Sequence, residues 1–146
     1  MPRGTYVLLT HVPYDLVISV GELGNRSFKA GYYAYVGSAL GGLEKRVGRH
    51  LKREKLARWH IDYLLARARA VDVVVAESEE RKECAVAGEL AKNLSSVRGF
   101  GSSDCKCDSH LFYSPDPHEL LRQVLLGFKA CGLKPKKGVR YGQATA

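Results

Sequence analysis

At 146 residues the chain is long enough for one domain with its own hydrophobic core and too short to suggest two. Its 23 Lys and Arg against 15 Asp and Glu give a formal net charge of +8, which favours polyanionic partners. No segment approaches the roughly 18 apolar residues of a membrane-spanning helix, and no apolar signal-peptide core is present. We therefore expect a cytoplasmic protein with reduced cysteines and no membrane partner.

The amino-terminal part is rich in β-forming residues and predicts three strands, near 4–12, 15–20 and 28–37. A turn is predicted at Gly24-Asn25, so the second and third strands would form an enlarged N-terminal hairpin. The expected result is an enlarged antiparallel sheet.

A strongly basic helix is predicted next, over residues 42–55. Arg46 and His50 lie one turn apart in it and therefore share a face. Residues 44–58 contain seven basic and two acidic side chains, which makes this segment a candidate for contact with nucleic acid. A solvated basic face is the alternative. The candidate nucleic-acid-binding residues are Lys45, Arg49, Lys52 and Arg53.

The remaining periodicity alternates between helix and strand. Ser78 is the predicted cap of the third helix. Helices grouped after early antiparallel strands indicate an α+β sandwich. The predicted elements are helix 59–69, strand 70–76, helix 79–93, strand 111–114 and helix 117–131.

The carboxyl end is basic as well, with five Lys and Arg and no acid in the last eighteen residues. We predict one domain over residues 1–132 and a basic C-terminal tail over 133–146. Contact with nucleic acid and simple solvation are equally good interpretations of the tail.

Two short motifs frame the predicted sheet: Gly4-Thr5-Tyr6 in the first strand, and Tyr35-Val36-Gly37 just before the helix that carries Arg46. Together they resemble the signature of the GIY-YIG nuclease superfamily, with threonine in place of isoleucine. The resemblance implies a GIY-YIG-like antiparallel sheet flanked by helices. It also implies a metal-binding glutamate on a later helix, and Glu83 matches that place.

The chain departs from the superfamily pattern in the spacing of the two motifs. The 28 residues 7–34 separate Tyr6 from Tyr35, which is longer than in typical members of the superfamily. This insert, with the segments 59–63 and 99–113, resembles a poorly characterised subgroup. Members of that subgroup occur alone or fused to endonuclease III-like DNA repair enzymes. The resemblance implies a nucleic-acid partner, with DNA favoured over RNA, and a repair enzyme as a further partner.

The resemblance also implies roles in phosphodiester hydrolysis. Tyr6 or Tyr35 would activate water with help from His50 and Lys45. Arg46 would pair with phosphate oxygens. Glu83 would hold one Mg²⁺ or Mn²⁺. A non-catalytic DNA- or RNA-binding module on the same fold is the competing interpretation, in which Glu83 is a helix-start carboxylate.

The glycine-rich loop at 99–110 contains Cys105-x-Cys107-x-x-His110, which offers three soft ligands. Cys84 or His60 would supply the fourth ligand of a structural zinc. The alternative is two half-buried thiols beside a capping histidine, and we favour it because the spacing is not a standard zinc pattern.

Overall fold

A six-stranded antiparallel sheet forms the centre of the computed structural model, which describes residues 3–39, 41–52, 59–103 and 105–137. The order of its strands is β6-β7-β4-β1-β5-β8. The α+β class and the antiparallel sheet flanked by helices are confirmed. The strands are β1 (Gly4–Val12), β2 (Leu16–Ser19), β3 (Asn25–Phe28), β4 (Gly31–Ala39), β5 (Arg69–Glu77), β6 (Ser95–Ser96), β7 (Leu111–Ser114) and β8 (Lys136–Lys137). The helices are α1 (Leu43–Leu51), α2 (His60–Leu65), α3 (Glu83–Ala91) and α4 (Pro117–Ala130), with a 3₁₀ turn at Gly21–Leu23.

The inserted hairpin is present, but it does not enlarge the main sheet. β2 and β3 pair with each other in a separate two-stranded sheet. The strand predicted over 28–37 is interrupted after Phe28, where the Ala30 N–H donates to Asp15 Oδ1 at 2.8 Å, and β4 begins at Gly31. Gly31 has a φ of 144°, which a residue with a side chain rarely adopts. The chain therefore bends between β3 and β4, and the hairpin leaves the sheet.

The sheet separates two hydrophobic cores because its side chains alternate between two faces. On one face Tyr6, Leu8 and Tyr35 pack with α1, α2 and the β2–β3 hairpin. On the other face Val7 and Val36 pack with α3 and α4. Each fully buried Val or Leu contributes about 1.5–3 kcal/mol relative to exposure, so these two apolar layers hold the helices on the sheet.

Three helix boundaries differ from the sequence predictions. α1 ends at Leu51 because Lys52 is extended, and residues 53–58 lie outside the described part of the chain. α2 covers only His60–Leu65. α3 begins at Glu83 instead of residue 79, because the Ser78 hydroxyl closes a local turn with the backbone of Glu80 and caps no helix.

The sheet continues past residue 132. Leu133 is buried, and β8 pairs with β5. Lys136 and Lys137 form ion pairs with Glu77 and Asp72 of β5, so part of the positive charge assigned to the tail is balanced within the sheet. None of the described helices is both long and apolar enough to span a membrane.

Candidate functional site

Tyr6 lies on the central strand at a position that requires glycine opposite it. The β1–β4 register pairs Tyr6 with Gly37, and a Cβ atom at residue 37 would overlap the ring and hydroxyl of Tyr6. The ring lies in the space left by the missing side chain and is only 1% exposed. Tyr6 and Gly37, one from each predicted motif, are therefore in contact. The absence of a side chain at Gly37 makes room for the Tyr6 ring.

The hydroxyl of Tyr6 forms a short hydrogen bond with His50 of α1. The Tyr6 Oη to His50 Nε2 distance is 2.6 Å, and the two rings lie 5.2 Å apart between centroids. His50 is 2% exposed, so water does not compete with this contact. The tautomer of the imidazole decides which of the two atoms donates.

Burial makes both candidate tyrosines harder to ionise than a free tyrosine. Burial raises the pKa of Tyr6 well above its usual range, and the neighbouring Tyr35 adds to the effect. Burial also raises the pKa of Tyr35 to about 12. The positive charge of Arg46 opposes the rise in pKa at both residues, and a hydrogen bond with Arg46 lowers the pKa of Tyr6 further.

Arg46 is held in place by two contacts. Its Nη1 donates to the Ser38 carbonyl at 3.1 Å, and its Cζ lies 4.6 Å from the centroid of the Trp59 ring. The structure thus brings together Tyr6, Tyr35, Arg46 and His50, all predicted from the sequence. Trp59 was not among the predicted site residues, and its position directly after the basic segment 44–58 was the one signal for a stacking role.

The other predicted basic residues have different surroundings. Arg49 forms two hydrogen bonds with Asp62, at 2.9 and 3.0 Å, and also stacks on Trp59 at 4.2 Å. Asp62 in addition accepts from the Trp59 N–H at 2.9 Å. Lys45 and Lys52 are exposed, and Arg53 lies outside the described residues. Arg49 and Asp62 therefore hold Trp59 in position.

Glu83 is the first residue of α3, and its side chain is only 14% exposed. Its Oε1 lies 3.8 Å from Arg81 Nη1, whereas its Oε2 is buried and has no hydrogen-bond partner among the described residues. Burial is the main cause of the raised pKa of Tyr35, and the negative charge of Glu83 adds to it. A buried carboxylate oxygen without a partner is costly, so this position suits a cation.

A cluster of three thiols and an imidazole lies directly after Glu83. The ligand atoms of Cys84, Cys105, Cys107 and His110 are all within 4.8 Å of one another, so this cluster has the composition and spacing to hold a metal ion. Cys84 is exposed, yet partial desolvation of its thiol, together with hydrogen bonds with Cys107 and Cys105, raises its pKa to about 12. Cys84, and not His60, is the fourth member, because the ligand atom of Cys84 lies within 4.8 Å of the other three. His60 instead accepts from the Gly101 N–H through its Nδ1 at 2.8 Å.

The loop that carries two of these cysteines packs across Tyr35. The Phe100 ring lies 6.2 Å from that of Tyr35 and 5.6 Å from that of His60. A Cβ atom at Gly101 would lie 2.8 Å from the Tyr35 ring and 3.3 Å from His110 Cβ. This loop therefore connects two clusters. One is the thiol cluster of Cys84, Cys105, Cys107 and His110, and the other is the tyrosine cluster of Tyr6, Tyr35, Arg46 and His50.

Comparison with known proteins gives one match. A family model described as "Domain of unknown function DUF123" matches residues 5–133 of the 146. No curated protein and no solved structure matches the chain. The matched segment includes both clusters, and the chain belongs to the DUF123 family, a domain of unknown function.

Proposed function

We propose that this protein is a GIY-YIG-type endonuclease that hydrolyses phosphodiester bonds in nucleic acid with one Mg²⁺ or Mn²⁺, and that DNA in a repair setting is its substrate. The observation that carries the proposal is the 2.6 Å contact between Tyr6 and His50 beside Arg46. The two sequence motifs in β1 and β4 add support, because both contribute side chains to the same cluster.

Activation of water is the first requirement of hydrolysis. The raised pKa of Tyr6 means that its phenol does not ionise alone at neutral pH. In the proposed mechanism His50 first takes the Tyr6 proton across the 2.6 Å contact, and the resulting phenolate then accepts a proton from water, which leaves a hydroxide to attack the phosphate. Arg46 stabilises the transient phenolate, because its charge lowers the pKa of Tyr6.

Stabilisation of the phosphate charge is the second requirement. Arg46 carries five N–H donors, of which the Ser38 carbonyl takes one. Stacking on Trp59 fixes the plane of the guanidinium, and the Arg49–Asp62 pair fixes Trp59. We assign Arg49 to this supporting role and Lys45, which is exposed on the same helix, to attraction of the polyanion.

The proposed divalent ion fits Glu83. Mg²⁺ and Mn²⁺ favour carboxylate oxygens, and the buried Oε2 of Glu83 is an oxygen in need of a partner. Such an ion, when bound, supplies positive charge for the leaving oxygen and the phosphate. The first turn of α3 positions the carboxylate, and Tyr35 lies close enough for its pKa to respond to the Glu83 charge.

A non-catalytic DNA- or RNA-binding module is the second candidate. It is favoured by the burial of the phenols, since Tyr6 is 1% and Tyr35 9% exposed. In that function the net charge of +8 holds the polyanion, and the affinity falls steeply with salt without any dependence on a divalent ion. An endonuclease III-like repair enzyme is the proposed protein partner in either case.

Cleavage of labelled substrates distinguishes the two functions. Single-stranded, duplex, flap and junction DNA and a structured RNA are incubated with Mg²⁺, Mn²⁺ or EDTA. Arg46→Ala and Glu83→Ala are compared with Arg122→Ala and Glu79→Ala, which alter exposed side chains. We expect cleavage that EDTA and the first two variants abolish and the controls retain. Salt-sensitive binding without any cut would leave the binding module.

A further inference from the structure

We propose that Cys84, Cys105, Cys107 and His110 bind one Zn²⁺, which fastens the 97–110 loop to the first turn of α3. This structural metal centre is separate from the Mg²⁺ or Mn²⁺ proposed at Glu83. It does not depend on nuclease activity, because it rests on the ligand set alone.

The spacing of the ligand atoms fits tetrahedral zinc. Zn–S bonds of about 2.3 Å and Zn–N bonds of about 2.0 Å place neighbouring ligand atoms about 3.5–3.8 Å apart. Cys105 Sγ and Cys84 Sγ lie 3.5 and 3.8 Å from His110 Nε2. All four atoms lie within 4.8 Å of one another, so small side-chain rotations complete the tetrahedron.

The chemistry of the ligands selects the metal and its role. Three thiols and an imidazole are soft donors that suit Zn²⁺ and do not suit Mg²⁺. Four protein ligands fill the coordination sphere of zinc and leave no position for water, as in structural sites and unlike catalytic ones. The same helix start therefore offers a hard oxygen ligand at Glu83 and a soft sulfur ligand at Cys84.

His110 is the rigid member of the cluster. Its N–H donates to the Phe100 carbonyl at 2.8 Å, and its own carbonyl accepts from the Val36 N–H at 2.9 Å. It is 5% exposed and stands directly before β7. The sheet therefore fixes one ligand, while the others come from the loop and from α3.

Zinc binding would fix the position of Glu83 relative to Tyr35. Cys84 adjoins Glu83, and the loop that ends in His110 packs on Tyr35 through Phe100 and Gly101. Bonds from one ion to both segments set the distance between the carboxylate and the phenol. Without the ion, this distance depends on weak thiol contacts and loop packing.

Metal analysis tests the site directly. The parent protein, purified without chelators, is compared with Cys107→Ser and with Cys131→Ser, the latter altering the one described cysteine outside the cluster. We expect about one zinc per chain in the parent and in Cys131→Ser, and a loss of at least tenfold in zinc occupancy in Cys107→Ser. Equal zinc in both variants, or iron in its place, would overturn the proposal.

Cobalt substitution of the parent provides a readout that needs no variant. Replacement of the zinc by Co²⁺ should give the intense visible bands of tetrahedral thiolate coordination, and amide exchange over residues 97–110 should quicken when the metal is removed. A parent that binds neither metal, or a disulfide among the three thiols by mass spectrometry, contradicts the site. Either result leaves cleavage at Glu83 and Tyr6 separately measurable.

Discussion

The tyrosine cluster and the thiol cluster are assembled in opposite ways. Tyr6, His50 and Arg46 are packed side chains that hold one another through a short hydrogen bond, a carbonyl contact and stacking. The thiol cluster brings together an exposed cysteine, two half-buried ones and a buried histidine through long sulfur contacts. Packing alone completes the first cluster, whereas in our proposal an ion binds the members of the second together. The comparison predicts different responses to substitution and to chelation.

The largest expected effect is on the proposed hydrolysis. Tyr6→Phe removes the hydroxyl that contacts His50, and we expect a loss of about 10²–10⁴ in cleavage rate, the range for a general acid–base group. Single-turnover cleavage measures the loss. Tyr33→Phe is the matched control, because Tyr33 is equally buried but bonds to the Lys29 carbonyl. Equal losses in the two variants would show that Tyr6 has only a packing role.

Chelation should lower the free energy of unfolding. The expected change is nearly as large as the rise in the activation free energy of cleavage caused by Tyr6→Phe. Zinc at a thousandfold excess over its Kd stabilises the folded chain by about 4 kcal/mol. We expect a matching loss in the free energy of unfolding when the parent is stripped of metal. The loss should be absent when Cys107→Ser is treated in the same way. Calorimetry with and without chelator measures it, and an unchanged melting temperature in the parent would contradict a structural metal.

The addition of one methyl group should change the stability in opposite directions at two glycines, because one is tightly packed and the other has open space beside it. Gly37→Ala forces a Cβ atom into the Tyr6 ring, and overpacking of this kind costs about 1–3 kcal/mol. Gly48→Ala on α1 has no heavy atom near the new methyl and should stabilise the helix by about 0.5–1 kcal/mol. Chemical denaturation measures both. If Gly37→Ala were as stable as the parent, the close contact with Tyr6 would be wrong.

A loss of stability is also predicted in alkali. Folding raises the pKa of Tyr6 and Tyr35, the latter to about 12, so both residues contribute stability that is complete below the unfolded pKa of about 10. That contribution is lost as the pH rises from about 10 towards 12. Denaturation at a series of pH values should show the decline, and Tyr35→Phe should make it shallower. A parent curve that is flat above pH 10 would contradict the buried phenols.

The sequence predicted the elements that local patterning determines. The apolar runs of β1 and β5 and the periodicity of α4 are strong local signals, and these elements lie where we expected them, whereas β4 begins at Gly31 and not at residue 28. The separate β2–β3 sheet was not predictable from alternation, because the bend after Phe28 depends on a hydrogen bond to Asp15. The pairing of β8 with β5 likewise depends on the fold and not on its two lysines.

In the candidate site, too, the sequence predicted what local spacing determines and missed what depends on the fold. Arg46 and His50 were predicted to share a helix face, and the structure places both beside Tyr6. The ion pair between Arg49 and Asp62 joins residues 13 apart in the sequence, which a count of charges does not reveal. Cys84 was one of two candidates for the fourth ligand, and only the packing of α3 against the loop distinguishes it from His60.

The most direct test of the account compares two neighbouring residues with two readouts. Zinc content and Mg²⁺-dependent cleavage are measured together in the parent, Glu83→Gln and Cys84→Ser. We predict that Glu83→Gln keeps its zinc and loses cleavage, whereas Cys84→Ser loses its zinc. Cleavage by Glu83→Gln at the parent rate, or a parent that cuts no nucleic acid with either divalent ion, would contradict the proposed hydrolytic role of this site.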